Sequence, residues 1–462
     1  MCQQNLPMVF ENTKMILIYS EEITPRIDYI TKLIFNQILR VEIGLTTNLA
    51  DFLKSENPKI NYSQNKFGDE IYLKPHGLLC QTTLHRVEIQ PVKYNNETCF
   101  FESSADSIFP FDPFAASFYL VTRYEEYLET DLDKFGRFKA SESILTKFNL
   151  IKKPVVNIWA NLLAGEISKK YPRFVFPKRK FEFISTIDID NAWAYLHKGF
   201  WRTGGALVQS LLKGNFSEFN SRLKVLSGNA KDIYDNYEYL DSVFKENEEK
   251  VKFFFLLGDY AEFDKNVSHK NSSFRKLIQT VSLKYDVGIH PSFAGFVHGC
   301  HGKVIKENSR LKEITGKEIS KSRQHYLNLK FPKTYQNLIK AGITEDYTLG
   351  FADQTGFRAG ICTPYYFYDL QNEAKTNLLV VPFQVMDGTL RHYLELSPEE
   401  AFKETEILMN EVKKVGGTFV SIWHNETVND LGEWKGYRDV FEKMNRLGFK
   451  WANEKAAYIY KT

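Results

Sequence analysis

Ser185-Thr-Ile-Asp-Ile-Asp190 is the stretch that decides the fold of the larger part of this chain. It ends an apolar run that begins at Phe181 and has the length of a β-strand. Because side chains alternate across a strand, Asp188 and Asp190 share one face. Two neighbouring carboxylates repel each other, and either a divalent cation or one retained proton relieves the repulsion. A pair of aspartates that cap a helix after the strand is the structural alternative.

Polar residues close several later apolar runs in the same way. Gly288-Ile-His-Pro-Ser292 ends a run with a histidine, and neutral imidazole is a common ligand for zinc. Ser322-Arg-Gln-His325 puts an arginine and a histidine on one face of another strand end. The candidate residues that follow Asp190 in this pattern are His290, Arg323, His325, Arg358, Trp423, His424 and Asn425.

Short apolar runs alternate with helical stretches after the first of these motifs. The predicted strands are 181–190, 251–257, 286–290, 319–325, 344–350, 378–385 and 418–424. The predicted helices are 232–246, 273–285, 304–315, 333–341, 398–415 and 435–447. This alternation indicates an α/β domain with a parallel sheet or a barrel, in which reactive groups collect at the C-terminal ends of the strands.

The N-terminal part of the chain has a different pattern. It mixes short strands and helices, with helical runs predicted at 113–127, where Asp112 is the expected N-cap, and at 153–166. A charged stretch broken by Pro172 and Pro177 follows. We therefore predict a smaller mixed α/β domain at 1–175, without a catalytic grouping, and a second domain at 176–462.

Composition excludes several classes of protein. The 462 residues are 43% hydrophobic and 15% aromatic, and the formal net charge is only +3, with mixed signs along the chain, which argues against nucleic-acid binding. Five scattered cysteines form no CxxC pair and predict free thiols. Because no apolar run reaches the roughly 18 residues of a membrane span, we expect a cytoplasmic protein. Its oligomeric state is left open.

These motifs resemble the polysaccharide deacetylase superfamily, and the resemblance covers Phe181 to the C-terminus. The catalytic domain is similar to chitooligosaccharide deacetylase, and the chain resembles a bacterial branch with an additional N-terminal domain of unknown role. The resemblance implies a distorted (β/α) barrel that removes N- or O-linked acetyl groups from sugars with a divalent metal, most often Zn²⁺. Thr186-Ile-Asp-Ile-Asp190 is similar to the first family motif, which implies that Asp188 is the base and Asp190 a metal ligand. Many members have the two aspartates adjacent, so an exchange of these roles stays open.

The second family motif has a metal-binding histidine and another histidine four residues later. Gly288-Ile-His290 is similar to its first half, but the residue four positions on is Ala294. Our hypothesis is that His325 supplies the missing third ligand. His298-Gly-Cys-His301 is a second candidate, although an ordinary loop is the expected reading there.

Arg358 is similar to the family arginine that orients the base, and Trp423-His424 to the late motif whose histidine is the general acid. Asp387 lies where the family often has an acidic residue near that histidine, which would raise its pKa, and a turn aspartate is the alternative. Arg323, Trp423, Asn425 and Asp387 are the expected contacts to a carbohydrate substrate, with a core role for Trp423 as the alternative.

The sequence therefore predicts a metal-dependent hydrolase of amide or ester bonds that removes acetyl groups from a sugar or polysaccharide intermediate. Ala294 motivates one alternative, a catalytically inactive deacetylase-like module that binds carbohydrate. The other alternative is a metal-dependent hydrolase of a different bond, such as a phosphoester. It ranks lower because the sequence has no glycine-rich phosphate loop.

Overall fold

The computed structural model of the protein describes residues 15–95, 97–128, 130–297 and 301–459. The chain divides into two compact units. The first consists of Met1–Val121, Val155–Arg179 and Ala457–Thr462, and the second of Thr122–Pro154 and Lys180–Ala456. No helix in the described part of the chain is both long and apolar enough to cross a membrane.

The first unit has a four-stranded parallel sheet in the order β2-β1-β3-β4 and an antiparallel hairpin, β5-β6. The strands are β1 (Ile16–Tyr19), β2 (Ile43–Thr46), β3 (Lys59–Tyr62), β4 (Ile71–Leu73), β5 (Pro91–Tyr94) and β6 (Glu97–Phe100). The helices are Pro25–Lys32, continued by a π-helical turn at Leu33–Ile38, then Leu49–Lys54, Leu78–Cys80, Pro113–Val121 and Val155–Lys170. Asp112 caps the fully buried helix Pro113–Val121 by accepting hydrogen bonds from the N–H groups of Phe114 and Ala115.

The helix predicted at 113–127 ends earlier, at Val121, and this moves the unit boundary. From Thr122 to Pro154 the chain belongs to the second unit rather than to the predicted domain 1–175. The backbone of Arg123 is left-handed, with φ at 55°. Its buried side chain pairs with Glu125 and Glu126 at 2.9 and 2.7 Å. The sequence did not show that these charges belong to the other unit.

The second unit contains one sheet of nine strands in the order β12-β13-β11-β10-β9-β8-β7-β15-β14. The strands are β7 (Glu182–Ile189), β8 (Val251–Leu256), β9 (Asp286–His290), β10 (Lys321–Ser322), β11 (Glu345–Asp346), β12 (Tyr365–Asp369), β13 (Ala374–Val380), β14 (Val385–Met386) and β15 (Thr418–His424). All pairings in it are parallel except β12 with β13. The long central strands β7, β8 and β15 are apolar runs that bury both faces, as expected for a covered parallel sheet.

The predicted distorted barrel is not confirmed. The row of strands has two ends, β12 and β14, and no strand pairing among the described residues closes it. Residues 381–384, between β13 and β14, nevertheless reach both sides of the row. The N–H of Val381 donates to the carbonyl of Asp346 in β11, and that of Gln384 donates to the carbonyl of Val420 in β15. The sheet is therefore curled, and a closed barrel stays a prediction.

Helices and short turns connect these strands. The helices are Ile144–Lys147, Phe200–Leu212, Phe216–Leu226, Tyr237–Phe244, Ser272–Lys284, Phe293–Val297, His301–Thr315, Lys333–Lys340, Pro398–Val415 and Tyr437–Ala452. The shorter helical turns are Tyr124–Tyr127, Ala140–Glu142, Glu248–Lys250, His325–Leu327, Thr389–Tyr393, Thr427–Asn429 and Gly432–Trp434. The helix Pro398–Val415 has the predicted bounds because Ser397 and Glu400 form a capping box at its start and Gly416 ends it in the left-handed conformation.

Candidate metal centre

The strand order explains how the predicted site residues meet. β7 lies between β8 and β15, so its end lies beside the ends of both neighbours. His424, at the end of β15, is in register with Asp188 of β7. His290, at the end of β9, is in register with Leu256, the last residue of β8. Parallel strands end on the same edge of a sheet, and the polar residues therefore collect there.

Asp190 lies at the centre of this edge, with three imidazoles around its carboxylate. Oδ1 is 3.2 Å from Nε2 of His290, and Oδ2 is 3.4 Å from Nε2 of His325. Oδ2 is also 3.8 Å from Nε2 of His424. Burial raises the pKa of the Asp190 carboxyl, but the histidines, His325 foremost, outweigh burial and hold it well below its usual range.

The ring of His290 has a fixed tautomer. Its Nδ1 lies 2.6 Å from the carbonyl oxygen of Arg323, which can only accept, so Nδ1 carries the proton. Nε2 then faces Asp190 and would offer its lone pair to a metal ion that both residues hold. A carbonyl that fixes a ring in this way is the usual support of a metal-binding histidine.

His325 does not extend β10 but begins a short helical turn, in which Tyr326 has a left-handed φ of 60°. Its Nδ1 is 2.9 Å from Oδ1 of the buried Asp264. Asp264 also accepts hydrogen bonds from the backbone N–H groups of Phe293 and Ala294, at 2.8 and 3.0 Å. One carboxylate therefore fixes both the His325 ring and the loop that carries Ala294.

Electrostatics couple His325 to the two carboxylates that face it. Burial lowers the pKa of His325, but Asp190 and Asp264 more than offset this and raise it to about 9. A proton on His325 therefore neutralises part of the negative charge when no cation is bound.

The donor set fits a divalent ion. One ligand atom each from Asp190, His290 and His325 lie within 4.8 Å of one another. Two ligand atoms on a tetrahedral zinc with bonds of about 2.1 Å are about 3.4 Å apart. Each carboxylate oxygen of Asp190 lies at about that distance from one ring, Oδ1 at 3.2 Å from His290 Nε2 and Oδ2 at 3.4 Å from His325 Nε2. Oδ1 of Asp190 is moreover buried and accepts no hydrogen bond from the described residues. The structure thus brings the three predicted ligands together, and their binding of a metal stays a prediction.

Asp188 is held by Arg323 rather than by the predicted Arg358. Nη1 of Arg323 donates to Asp188 Oδ1 at 2.9 Å and to the Thr186 hydroxyl at 2.6 Å, and Nε donates to the Tyr347 carbonyl. Both members of the pair are buried. Arg323 therefore positions Asp188, and its expected contact with substrate is not supported, because its side chain is closed off from solvent.

Arg358 lies in a separate buried ion pair. It donates to both oxygens of Glu126, at 3.0 and 2.6 Å, and to the Gly350 carbonyl at 2.9 Å. Arg358 and Arg123 together hold the pKa of Glu126 below its usual range against the effect of burial. The prediction that Arg358 orients the base was therefore wrong in this structure. Its partner is a glutamate of the segment that was assigned to the other domain.

His424 forms a histidine–carboxylate pair with Asp387. Its Nδ1 lies 2.9 and 3.1 Å from the two oxygens of Asp387, which is fully buried and also accepts from the His424 backbone N–H and the Thr427 hydroxyl. Burial lowers the pKa of His424, but Asp387, then Asp190 and Asp188, raise it well above its usual value. The expected effect of Asp387 on this pKa is present, whereas a contact of Asp387 with substrate is not available.

Trp423 and Asn425 are both fully buried, so neither reaches a substrate in this structure. The Trp423 ring packs against Phe441, with centroids 5.2 Å apart, which is the core role given as the alternative. The Asn425 amide donates to the carbonyls of Asn191 and Tyr234, each at 3.0 Å. Asn425 therefore fixes the loop that follows Asp190.

Two acidic residues at this edge were missed. Asp264 lies in an irregular loop, and no motif marks it. Glu426 stands two positions after His424, and burial, followed by the charge of Asp190, raises its pKa to about 7. Only its closeness in sequence to His424 could have drawn attention to it. His298 and Cys300 of the other candidate motif lie outside the described residues, as does the side chain of His301.

Comparison with known proteins adds a match to the N-terminal part of the chain. Residues 16–172 match a family of unknown function, DUF7033. A search of curated proteins returned no match.

Solved structures similar to this chain include several carbohydrate-active enzymes. A Mycobacterium smegmatis protein described as a polysaccharide deacetylase has a TM-score of 0.36 at 15% identity, over 58% of this chain and 85% of its own. A Bordetella bronchiseptica protein described as a polysaccharide deacetylase involved in O-antigen biosynthesis has a TM-score of 0.31 at 13% identity, over 61% and 88%. A CE4-family pseudoenzyme from Bacillus anthracis has a TM-score of 0.30 at 10% identity, over 61% and 68%. These TM-scores and identities are low.

Proposed function

We propose that this protein is a metal-dependent hydrolase that removes an N- or O-linked acetyl group from a sugar or polysaccharide intermediate. The observation that carries the proposal is the cluster of Asp190, His290 and His325, with ligand atoms within 4.8 Å of one another. Asp188 on one side and His424 on the other supply a base and an acid beside that cluster. A cytoplasmic location stays a prediction.

Zn²⁺ or a similar divalent ion, held by Asp190, His290 and His325, would supply Lewis-acid activation of the acetyl carbonyl and a lowered pKa for water. Asp190 is the aspartate that suits the ligand role, since its carboxylate faces three imidazoles and is partly exposed at the site. Asp188 suits the role of base. Arg323 donates to Oδ1 of Asp188, and Oδ2 of Asp188 faces the cluster, 4.0 Å from Nε2 of His290. Asp188 therefore accepts the proton of the attacking water in this proposal.

His424 is the proposed general acid. Its raised pKa keeps the ring protonated near neutral pH, and Asp387 accepts the Nδ1 proton. The Nε2 proton is thus directed to the side of Asp190, where the leaving amine or alkoxide would receive it.

The test is acetate release from a panel of N- and O-acetylated sugars, with and without chelator and after metal is returned. We expect release that chelator abolishes and a divalent ion restores. Asp188→Asn should lower turnover and leave metal content unchanged, whereas Asp190→Asn should lose metal. Loss of metal from Asp188→Asn would exchange the two roles. If the protein binds acetylated sugars but binds no metal and releases no acetate, it is instead the inactive carbohydrate-binding module.

A further inference from the structure

A large cavity with an excess of positive charge lies outside the cluster described above. Its volume is about 1110 Å³, enough for a drug-sized or larger ligand. It is lined by five basic side chains and a single carboxylate, that of Asp259. The basic residues are Lys198, Arg202, Lys270, Lys306 and Arg310.

Internal ion pairs neutralise only part of this charge. Asp259 contacts Lys306 at 3.0 Å and Arg310 at 2.5 Å. Lys198, Arg202 and Lys270 have no ion-pair partner in the described part of the chain. Glu426 and Asp232 stabilise the charge of Lys198 without forming an ion pair with it. The cavity therefore presents three cations without a direct counter-ion among the described residues, and these attract an anionic ligand.

Two of these cations are held in place before any ligand arrives. The Arg202 guanidinium donates to the carbonyls of Asn266 and Lys265 and lies 4.6 Å from the centre of the Tyr260 ring. The half-buried Lys198 donates to the amide oxygen of Asn191 at 2.8 Å. Burial, and then the charge of Arg202, lower the pKa of Lys198 to about 8, so a bound anion would stabilise its charged form.

The cavity opens close to the proposed reaction site along the chain. Lys198 follows the end of β7 by a short loop, and its partner Asn191 is the residue next to Asp190. We propose that this cavity binds a phosphate or diphosphate group, so that the substrate of the proposed deacetylation is a sugar carried on a phosphate. The sugar part of this proposal rests on the proposed function, whereas the phosphate part rests only on the cavity. Nucleotide-linked and lipid-linked sugars share this chemistry.

Inorganic pyrophosphate is the probe, titrated calorimetrically into the full chain before and after chelator treatment. We expect binding that survives the chelator and weakens about tenfold or more in Lys198→Gln and Arg202→Gln, since each removes a charge-assisted contact. Lys231→Gln is the matched control, because Lys231 pairs with Glu238 and does not line the cavity. Metal content should be unchanged in all three variants.

Three results would each overturn the phosphate site. The wild-type protein does not bind pyrophosphate, the control variant weakens binding as much as the other two, or binding is lost with chelator yet retained in Lys198→Gln. The last result would place the probe on the metal cluster. Failure of the proposed function appears separately, as absence of metal-dependent acetate release. Uridine diphosphate and farnesyl diphosphate are then compared with pyrophosphate. Tighter binding of the first indicates a nucleotide-linked sugar, and tighter binding of the second indicates a lipid-linked sugar.

A different observation carries a second inference. The helical hairpin formed by Phe200–Leu212 and Phe216–Leu226 exposes apolar side chains to an unusual degree. Trp201 is 87% exposed, Phe200 83% and Leu212 84%. The others on this hairpin are Val208, Leu211, Phe216, Leu223 and Leu226. Large apolar side chains exposed together on one hairpin in this way mark an interaction site.

Charge indicates what covers it. Between Phe200 and Leu226 the chain has four basic residues, Arg202, Lys213, Arg222 and Lys224, and one acidic residue, Glu218. Arg222 pairs with Glu218 at 2.8 Å and Arg202 lines the cavity described above, so the exposed Lys213 and Lys224 are the cations available to a surface. Aromatic and aliphatic side chains combined with basic ones are typical of helices that lie in a membrane interface. We infer that this hairpin docks on an anionic lipid surface, with Phe200 and Trp201 inserted among the headgroups.

Sedimentation with phosphatidylcholine vesicles, with and without phosphatidylglycerol, tests this inference. Binding should require the anionic lipid, and Phe200→Ser combined with Trp201→Ser should weaken it about tenfold or more, given the apolar area lost. Leu283→Ser is the control, because Leu283 is 82% exposed on the separate helix Ser272–Lys284. The inference is overturned if the wild-type protein does not bind vesicles or if both variants weaken binding equally. It is also overturned if the wild-type protein is an oligomer that the double variant dissociates, because the apolar face then contacts a second copy of the chain.

Discussion

Asp264→Asn is the most informative single substitution at this site, because Asp264 supports the proposed third ligand without touching the other two. The fully buried carboxylate accepts three hydrogen bonds, from His325 Nδ1 at 2.9 Å and from the N–H groups of Phe293 and Ala294 at 2.8 and 3.0 Å. An amide has only one acceptor oxygen, so the variant turns its NH₂ group toward one of these donors.

The expected magnitude follows from those three bonds. One buried donor loses its acceptor, which costs about 1–3 kcal/mol of stability. The remaining hydrogen bonds lose the negative charge that roughly doubles their strength. We therefore expect a loss of about 2–4 kcal/mol in the free energy of unfolding. Loss of a supporting carboxylate behind a metal-binding histidine costs about 10–100-fold in metal affinity. We expect Zn²⁺ affinity to fall by that factor.

Zn²⁺ affinity is measured by competition with a chromogenic chelator, and stability by urea denaturation. The control is Asp112→Asn in the other unit, because Asp112 is also buried and accepts bonds from the N–H groups of His76, Phe114 and Ala115. It should lose stability to a similar degree and keep its metal affinity. If Asp264→Asn is destabilised yet binds Zn²⁺ as tightly as the wild type, the reasoning about His325 is refuted.

Three further expectations concern neighbouring groups. Arg323→Met leaves the buried Asp188 without its cation and should cost about 3–5 kcal/mol in urea denaturation; a loss below about 1 kcal/mol would contradict the buried pair. Asp387→Asn removes the charge that most raises the pKa of His424, so the alkaline limb of the acetate-release profile should move to lower pH, and an unchanged profile would exclude the proposed acid. In metal-free protein the folded pKa of His325 is about 9, above the value of about 6.5 for an unfolded chain. The protonated His325 therefore contributes its full stabilisation below about pH 6.5, and this stabilisation is lost as pH rises through about 9. Denaturation curves that show the free energy of unfolding increasing over that interval would contradict this expectation.

Local pattern predicted the long strands well. The strands Asp286–His290 and Thr418–His424 have the predicted bounds, because each is a short apolar run closed by a histidine at the sheet edge. The predicted strand 319–325 shortens to Lys321–Ser322, since the chain leaves the sheet at Arg323 and turns at Tyr326 in a left-handed conformation. A tertiary interaction overrides the pattern there, because Arg323 is drawn inward to Asp188.

Asp190 and His290 could be predicted because they close apolar strands, and His325 because the predicted strand 319–325 extends to it, whereas the groups that support these ligands could not be predicted. Nothing in the sequence around Arg323 or Arg358 indicates that the first pairs with Asp188 and the second with Glu126. Asp264 lies in an irregular loop and meets His325 only in the folded chain. The sequence analysis predicted no element at the exposed hairpin, Phe200–Leu212 and Phe216–Leu226, and apolar residues at helical spacing do not by themselves show whether a face is buried or exposed.

The central claim is that Asp190, His290 and His325 hold one divalent ion, with His325 in the place that Ala294 cannot fill. The measurement that tests it most directly is a Zn²⁺ competition titration of the wild-type protein, His325→Ala and His392→Ala, the last being a control at a half-exposed histidine. We expect one tight ion per chain for the wild type and the control, and an affinity about 100-fold or more lower for His325→Ala. If the wild-type protein takes up no ion, or if His325→Ala binds it as tightly as the wild type, these three residues do not form the site.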